Sequence, residues 1–216
     1  MLIAIEGIDG AGKNTLVERI RRELSGAVDI DTLGFPRYTE SIHAQLAQDA
    51  LYGRMGDLTD SAYAMATLFA LDRYGARETL EHAADDPQRL LLLDRYVASN
   101  AAYTAARCRD TEVLEWVRAL EFDRLGLPVP VLQIFLDTEP ELAATRAAKR
   151  AEADASRAKD EYEKDADLQQ RTAECYRLLA KNSWAGRWIA TGDGDRIIKV
   201  VQNVVGSGSG TEDSRR

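Results

Sequence analysis

The run Gly7-Ile8-Asp9-Gly10-Ala11-Gly12-Lys13-Asn14-Thr15 constrains this chain more than any other stretch. It follows Leu2-Ile3-Ala4-Ile5-Glu6, an apolar run that reads as a buried strand, and it leads into an amphipathic segment from Leu16 to Leu24. A strand, a glycine-rich turn and a lysine at a helix start form the context that gives a P-loop match its weight. Glycines let successive backbone N–H groups point inward at an anion, and the helix N-terminus adds its positive dipole end. Lys13 then reaches the β- and γ-phosphates of a nucleotide. The alternative is a chance glycine turn between strand and helix, and Gly12-Lys13 at this place argues against it. The chain is expected to handle nucleoside triphosphates.

One position departs from the general pattern. A Ser or Thr normally follows the lysine, where its hydroxyl helps hold Mg²⁺. Here Asn14 takes that slot and Thr15 comes after it. An amide oxygen can ligate magnesium, but the ion favours carboxylates, phosphates and water. The metal is therefore expected to lean on carboxylates elsewhere, with Asp9 the first candidate.

At 216 residues the chain can bury one sizeable α/β core, and no linker divides it. The net charge of −8 argues against broad nucleic-acid or anionic-membrane binding, which needs a basic surface. It leaves room for a local basic pocket. Cys108 and Cys175 are too few and too far apart for a zinc site, so free thiols in a reducing cytoplasm are expected. His43 and His82 alone cannot form a histidine metal cluster. No leader peptide is expected ahead of the first strand, and no apolar run reaches membrane-spanning length.

Apolar runs predict strands at about 2–6, 30–35, 90–94, 131–136 and 187–191. Helical patterns lie between them at 14–25, 41–52, 60–84, 99–107, 111–125, 139–183 in one or two pieces, and 195–205. Alternating strands and helices imply an α/β fold with a mostly parallel sheet covered on both faces. One domain over 1–205 is expected. From Gly206 the chain is a low-complexity polar tail expected to be disordered. Ligands of such sheets collect at the carboxyl ends of the strands.

Those ends carry further candidates. Phe35-Pro36-Arg37-Tyr38 sets an arginine beside a rigid proline, fit to offer a guanidinium fork to a phosphate or simply to pack at the surface. Asp94-Arg95-Tyr96 closes the third strand. Asp94 suits a water-mediated magnesium contact, and Arg95 either pairs with it or binds a phosphate. Between 60 and 84, Phe69 and Arg73 lie four apart on one helix face, a spacing that serves a flat heterocycle or plain core with Arg73 paired to an acid such as Asp72. Asn100 and Tyr103 can offer an amide to a base edge and a ring or hydroxyl to a sugar. Arg146, Lys149, Arg150, Arg157 and Lys159 surround an Ala-rich stretch that reads as a flexible, basic lid at about 147–160. Asp160 and Glu163 are the acidic pair adjoining it.

The loop Glu6-Gly7-x-Asp9-Gly10-x-Gly12-Lys13, Phe35-Pro36-Arg37, Asp94-Arg95-Tyr96 and the basic lid closely resemble thymidylate kinases, and the mycobacterial-type members most. The stretches Tyr63 to Arg73 and Asp94 to Tyr103 are more specific than the P-loop, and the likeness runs over about residues 1–205. It implies a P-loop NTPase fold with a five-stranded parallel sheet flanked by helices, and transfer of the ATP γ-phosphate to dTMP. Gly7, Asp9, Gly10, Ala11, Gly12, Lys13, Asn14 and Thr15 would then hold ATP, with Arg146 near the adenine and Arg157 in the lid. Phe69 would stack on thymine, Arg73 would donate to its O4, and Asn100 would contact the other pyrimidine edge. Tyr103 would crowd the sugar 2′ position, with Asp9 near the 3′-hydroxyl. Tyr38 and Arg95 would hold the acceptor phosphate, assisted by Arg37 and Ser99, and Phe35 and Tyr162 would line the same pocket. Lys13, Arg95, Arg150 and Asp9 would carry catalysis, and Asp9, Asp160 and Glu163 would surround Mg²⁺. The resemblance also implies a cytoplasmic homodimer; the apolar residues of 111–125 can contribute to its interface or equally be core.

Two other readings compete. A kinase for another nucleoside monophosphate would share the P-loop and the phosphate-binding arginine. A non-catalytic nucleotide-binding module would not need a basic lid, and a GTPase-type switch would need an Asn-Lys-x-Asp motif that this chain lacks.

Overall fold

The computed structural model describes residues 1–153, 162 and 165–208, with the backbone alone at 150–153 and 208. Its centre is a five-stranded parallel sheet made of β1 (Leu2–Glu6), β2 (Asp29–Gly34), β3 (Arg89–Asp94), β4 (Leu132–Phe135) and β5 (Trp188–Ala190). The spatial order is β2-β3-β1-β4-β5, every pair parallel. β1 and β3 sit inside, which is why Leu2 to Ile5 and Leu90 to Leu93 are apolar without alternation and buried throughout. Each such leucine contributes about 2 kcal/mol relative to exposure.

The order reverses around β1. The chain leaves β1 toward one edge to make β2, returns to make β3 beside β1, and then crosses to the other side for β4 and β5. A crevice therefore opens outside the carboxyl ends of β1 and β3. Their register pairs Ile5 with Asp94, and the Arg95 N–H donates to the Ile5 carbonyl at 3.0 Å. The loops after residues 6, 34 and 94 thus start level with one another.

Nine α-helices are described around the sheet: α1 (Lys13–Glu23), α2 (Ile42–Leu51), α3 (Ala62–Tyr74), α4 (Arg77–Asp85), α5 (Val97–Cys108), α6 (Val113–Arg118), α7 (Pro140–Ala153), α8 (Ala166–Lys181) and α9 (Gly194–Gly208). Ser41, Ser61 and Asp165 cap α2, α3 and α8 by accepting from the N–H of Ala44, Ala64 and Leu168.

Beyond shifts of one or two residues at element ends, the structure departs from the sequence reading at three places. The single helix expected over 60–84 is two, because the chain turns at Gly75-Ala76, where the Ala76 N–H reaches back only to the Arg73 carbonyl. Gly75 also faces the Arg37 guanidinium so closely that a Cβ there would lie 2.9 Å from Nη2. The segment expected as helix over 111–125 begins as α6 and widens into a π-helical turn, Ala119–Arg124. The last helix runs on through Gly208.

Alongside the main core, a smaller cluster of Ala47, Ala50, Leu51 and Met65 joins α2 to α3, and Phe69 and Tyr162 pack on it. This cluster holds one wall of the crevice.

Candidate active site

A cleft of about 1000 Å³ lies over the carboxyl ends of β1 and β3. The P-loop forms its floor at one end. Gly10 and Gly12 adopt φ values of +85° and +101°, in the region that favours glycine. At Gly10 a side chain would also collide with α7, since its Cβ would fall 2.0 Å from the Ala143 carbonyl oxygen. Among the described residues no side chain caps α1, whose first N–H groups, at Lys13, Asn14 and Thr15, can therefore meet a ligand. Lys13 is buried and donates from Nζ to the Gly7 and Ile8 carbonyls at 3.3 and 3.2 Å. Burial, then the nearby Arg95 charge, lowers its pKa to about 8. An anion on the loop would reverse that shift.

Arg95 projects from the end of β3 across the crevice. Its backbone is left-handed, φ 65°, which is unusual outside glycine and sets the side chain over the P-loop rather than along the strand. Nη1 donates to the Gly7 carbonyl at 2.9 Å and Nη2 to Asp9 Oδ1 at 2.5 Å. The Tyr103 hydroxyl donates to the other oxygen, Asp9 Oδ2, at 2.9 Å, and its ring lies 5.4 Å under the guanidinium. Burial alone would raise the pKa of Asp9, yet Arg95, Lys13 and the Tyr103 hydrogen bond outweigh it and bring it to about 2. Asp9 is a fixed anion between two cations. Ser99 stands beside this group, its hydroxyl donating to Glu6 Oε2 at 2.6 Å.

The far end of the cleft is lined by Phe35, Tyr38, Phe69, Arg73 and Asn100. Arg73 is buried and makes a two-point pair with Glu121, Nε to Oε2 at 2.5 Å and Nη2 to Oε1 at 2.8 Å. Burial disfavours its charge, but Glu121 more than restores it. Asn100 Nδ2 donates to the same Glu121 Oε1 at 2.7 Å and to the Ala66 carbonyl at 3.0 Å. Asp72, the acid next to Arg73 in sequence, instead accepts from Arg37, from its Nε at 3.0 Å and its backbone N–H at 2.9 Å. Arg37 is thereby turned onto α3, so the guanidinium weighed as a phosphate fork has a structural partner.

The wall facing the P-loop comes from α7. Arg146 and Lys149 line the cleft, and Arg146 Nη1 passes within 3.8 Å of where a Gly12 Cβ would stand. Tyr162 stacks on Tyr103 with centroids 6.2 Å apart and the rings 13° from parallel. Arg157, Asp160, Glu163 and the side chain of Arg150 lie outside the described residues.

Among the described residues, the chemistry of Asp94 fits a divalent cation. Asp94 Oδ1 is buried and finds no hydrogen-bond partner among the described residues, and Asp94 shares the cleft wall with Lys13, Asn14 and Thr15. A buried carboxylate oxygen without a partner is costly unless a cation or water meets it.

A model of the family described as thymidylate kinase matches residues 5–203. The chain belongs to the thymidylate kinase family. It is 51% identical over 196 residues to the thymidylate kinase of Mycobacterium tuberculosis, in strains CDC 1551 and H37Rv alike, covering 89% of this chain and 91% of the relative. With the thymidylate kinase of Arabidopsis thaliana it shares 29% identity over 206 residues, covering 94% of this chain and 70% of that one. Among solved structures, thymidylate kinase from Candida albicans matches with a TM-score of 0.69 at 20% identity, over 96% of this chain and 92% of that one. At that identity the likeness speaks for the fold.

Four residues around this cleft were given no role in the sequence analysis. Glu6 and Tyr176 are buried and jointly hold Ser99; Glu6 also accepts from the Tyr96 N–H at 2.9 Å. Burial raises the Glu6 pKa against the pull of these donors. Gln169 Nε2 donates to the Tyr162 carbonyl at 3.0 Å and to Asp9 Oδ2 at 3.5 Å, tying α8 to the P-loop. Glu121 is fully buried. It falls four residues after Val117 and eight after Val113, so an acid on that apolar face was a visible signal that a buried cation awaited it.

Proposed function

We propose that the cleft carries out the family's reaction, transfer of the ATP γ-phosphoryl group to dTMP to give dTDP and ADP, with the donor on the P-loop and the acceptor over Arg95. The observation that carries this is a single cleft with an anion cradle at one end and, at the other, a buried arginine and amide beside Phe69.

The acceptor is a phosphomonoester, whose second pKa of about 6 makes it largely dianionic at neutral pH. Attack therefore needs no general base. The work of the protein is to bring two anions into line and to offset their repulsion. Lys13 meets the β- and γ-phosphates of ATP, and Arg95 with Tyr38 holds the dTMP phosphate, Ser99 standing next to it. Arg146 lies on the adenine side, and Arg150 and Arg157 of the lid complete the cationic surround. Phe69 stacks on the thymine, Arg73 donates to O4, Tyr103 crowds C2′, and Tyr162 extends that wall. Asp94 and Asp9, with Asp160 and Glu163 as further carboxylates, would hold Mg²⁺, which would supply positive charge to offset that of the phosphates.

Residues 1–205 act as one domain in this reading. The enzyme works in the cytoplasm as a homodimer, for which the exposed Tyr63 and its edge-on partner Trp116, 4.7 Å between centroids, offer an aromatic contact.

The test is ADP release from ATP and Mg²⁺ with dTMP, dUMP, dCMP, UMP, AMP or GMP as acceptor. Strong preference for dTMP with dUMP second is expected. Turnover of another nucleotide in preference would discard the pocket assignments, and silence with all six would discard the reaction.

A further inference from the structure

Two side chains of the base pocket share one carboxylate. Glu121 Oε1 receives both Arg73 Nη2 and Asn100 Nδ2, at 2.8 and 2.7 Å, and Oε2 receives Arg73 Nε at 2.5 Å. The carboxylate is fully buried, and it sits on the π-helical turn Ala119–Arg124 that follows α6. Turns of this kind inside helices recur where a side chain must be aimed for function.

The chemistry of the shared acceptor settles what each residue can show a ligand. An ionised carboxylate only accepts. It therefore draws the Nε–Nη2 edge of Arg73 inward and leaves Nη1 as the donor on the other edge. The two partners of Asn100 Nδ2, the Ala66 carbonyl and Glu121 Oε1, are both acceptors, so the amide can take only one orientation. Its oxygen Oδ1 is left toward Thr104, whose hydroxyl lies 3.5 Å away, on the cleft side that both residues line. The pocket thus presents a donor from Arg73 beside an acceptor from Asn100. A thymine or uracil edge carries the complement, the O4 acceptor and the N3–H donor, whereas cytosine carries the reverse at both places.

We propose that Glu121, which is itself away from the substrate, is the positioning residue that writes this donor–acceptor order and so selects 4-oxo over 4-amino pyrimidine nucleotides. The inference rests on the placement of the pyrimidine between Arg73 and Asn100 given above. A glutamine at 121 keeps the volume, but in either orientation its NH2 group faces an N–H of Arg73, so the two-point pair that fixes Arg73 cannot form.

The experiment compares kcat/KM for dTMP and dCMP in wild type, Glu121→Gln and Arg73→Ala, with the KM for ATP as an internal control. Glu121→Gln is expected to raise the KM for dTMP and to shrink the dTMP-to-dCMP ratio by roughly 10-fold or more, as loss of a dedicated polar contact does. The KM for ATP should stay within about 2-fold, which a general loosening of the fold would not allow. An unchanged ratio in Glu121→Gln, with the ratio collapsed in Arg73→Ala, overturns the role of Glu121. An unchanged ratio in Arg73→Ala overturns the underlying placement of the base instead. Should Glu121→Gln fail to fold, nitrogen-15 spectra of arginine-labelled wild-type enzyme decide. The Arg73 Nε–H signal, assigned by its absence in Arg73→Lys, must be protected from exchange before dTMP is added; rapid exchange in the free enzyme overturns the proposal.

Discussion

Arg95 Nη2 rests 2.5 Å from Asp9 Oδ1, so the end of β3 is bolted to the P-loop by an ion pair in which both partners also face the cleft. The left-handed backbone of Arg95 makes that reach possible, and Tyr103 closes the far side of Asp9. The pair holds the guanidinium in place before any phosphate arrives. Preorganisation of this kind avoids an ordering cost at the moment of transfer. Arg95→Ala is expected to lower kcat by about 10³-fold or more, the scale of an arginine that neutralises phosphoryl-transfer charge. Lys13→Ala should do the same. Steady-state rates beside far-ultraviolet circular dichroism check both, and near wild-type turnover in either variant would remove the phosphates from this position.

Lys13 gives a proton-linked signature. Its pKa in the free protein is lowered to about 8, so above that pH the folded chain holds fewer protons at this site than the unfolded chain, whose value is 10.5. Stability of the free enzyme therefore gains from Lys13 as pH rises from 8 toward 10.5. ATP bound as proposed would reverse the shift by bringing negative charge to Nζ. Calorimetric titration with ATP at pH 8.5, in buffers of different ionisation enthalpy, should report proton uptake that is absent at pH 6.5 and lost in Lys13→Met.

Tyr103 combines a hydroxyl on Asp9 with a ring under Arg95, and the two parts separate by mutation. Tyr103→Phe keeps the ring, so it should raise the KM for dTMP a few-fold while leaving sugar selection intact. Tyr103→Ala would open the space proposed for C2′ and should raise kcat/KM for ribothymidine monophosphate relative to dTMP. Equal sugar ratios in the two variants would take Tyr103 away from the 2′ position.

Gly10 and Gly26 share nearly the same φ, +85° and +84°, but only Gly10 abuts another element. Gly26→Ala should cost about 1 kcal/mol from backbone strain alone. Gly10→Ala adds overlap with the Ala143 carbonyl and should cost about 2–4 kcal/mol in all. It should also weaken ATP binding, because α7 carries Arg146 and must move aside. Urea unfolding midpoints and ATP titrations measure the two effects. Equal losses in the two variants would show that α7 does not pack on the loop.

Much of this molecule was legible before folding was considered. The strand–loop–helix of residues 2–24 rests on neighbours in sequence, and so did the alternation that implied a parallel sheet. The break at Gly75-Ala76 was not legible, because apolar periodicity continues on both sides of it and the glycine alone did not interrupt the pattern. The placement of Phe69 and Asn100 near one cavity came from resemblance, and helix spacing alone left Phe69 as plain core.

Local residues, then, settle which loop can cradle an anion and which strands can be central, since glycine conformations and side-chain periodicity are properties of contiguous chain. The partners of the charged groups are another matter. Arg73 pairs with Glu121, 48 residues away, and the adjacent Asp72 pairs with Arg37. Those choices depend on which helix faces are buried against each other, for burial is what turns a charge's partner from optional into required. Folding α3, α5 and the turn after α6 together makes Glu121 the common acceptor for Arg73 and Asn100, a relation that neither spacing nor composition contains.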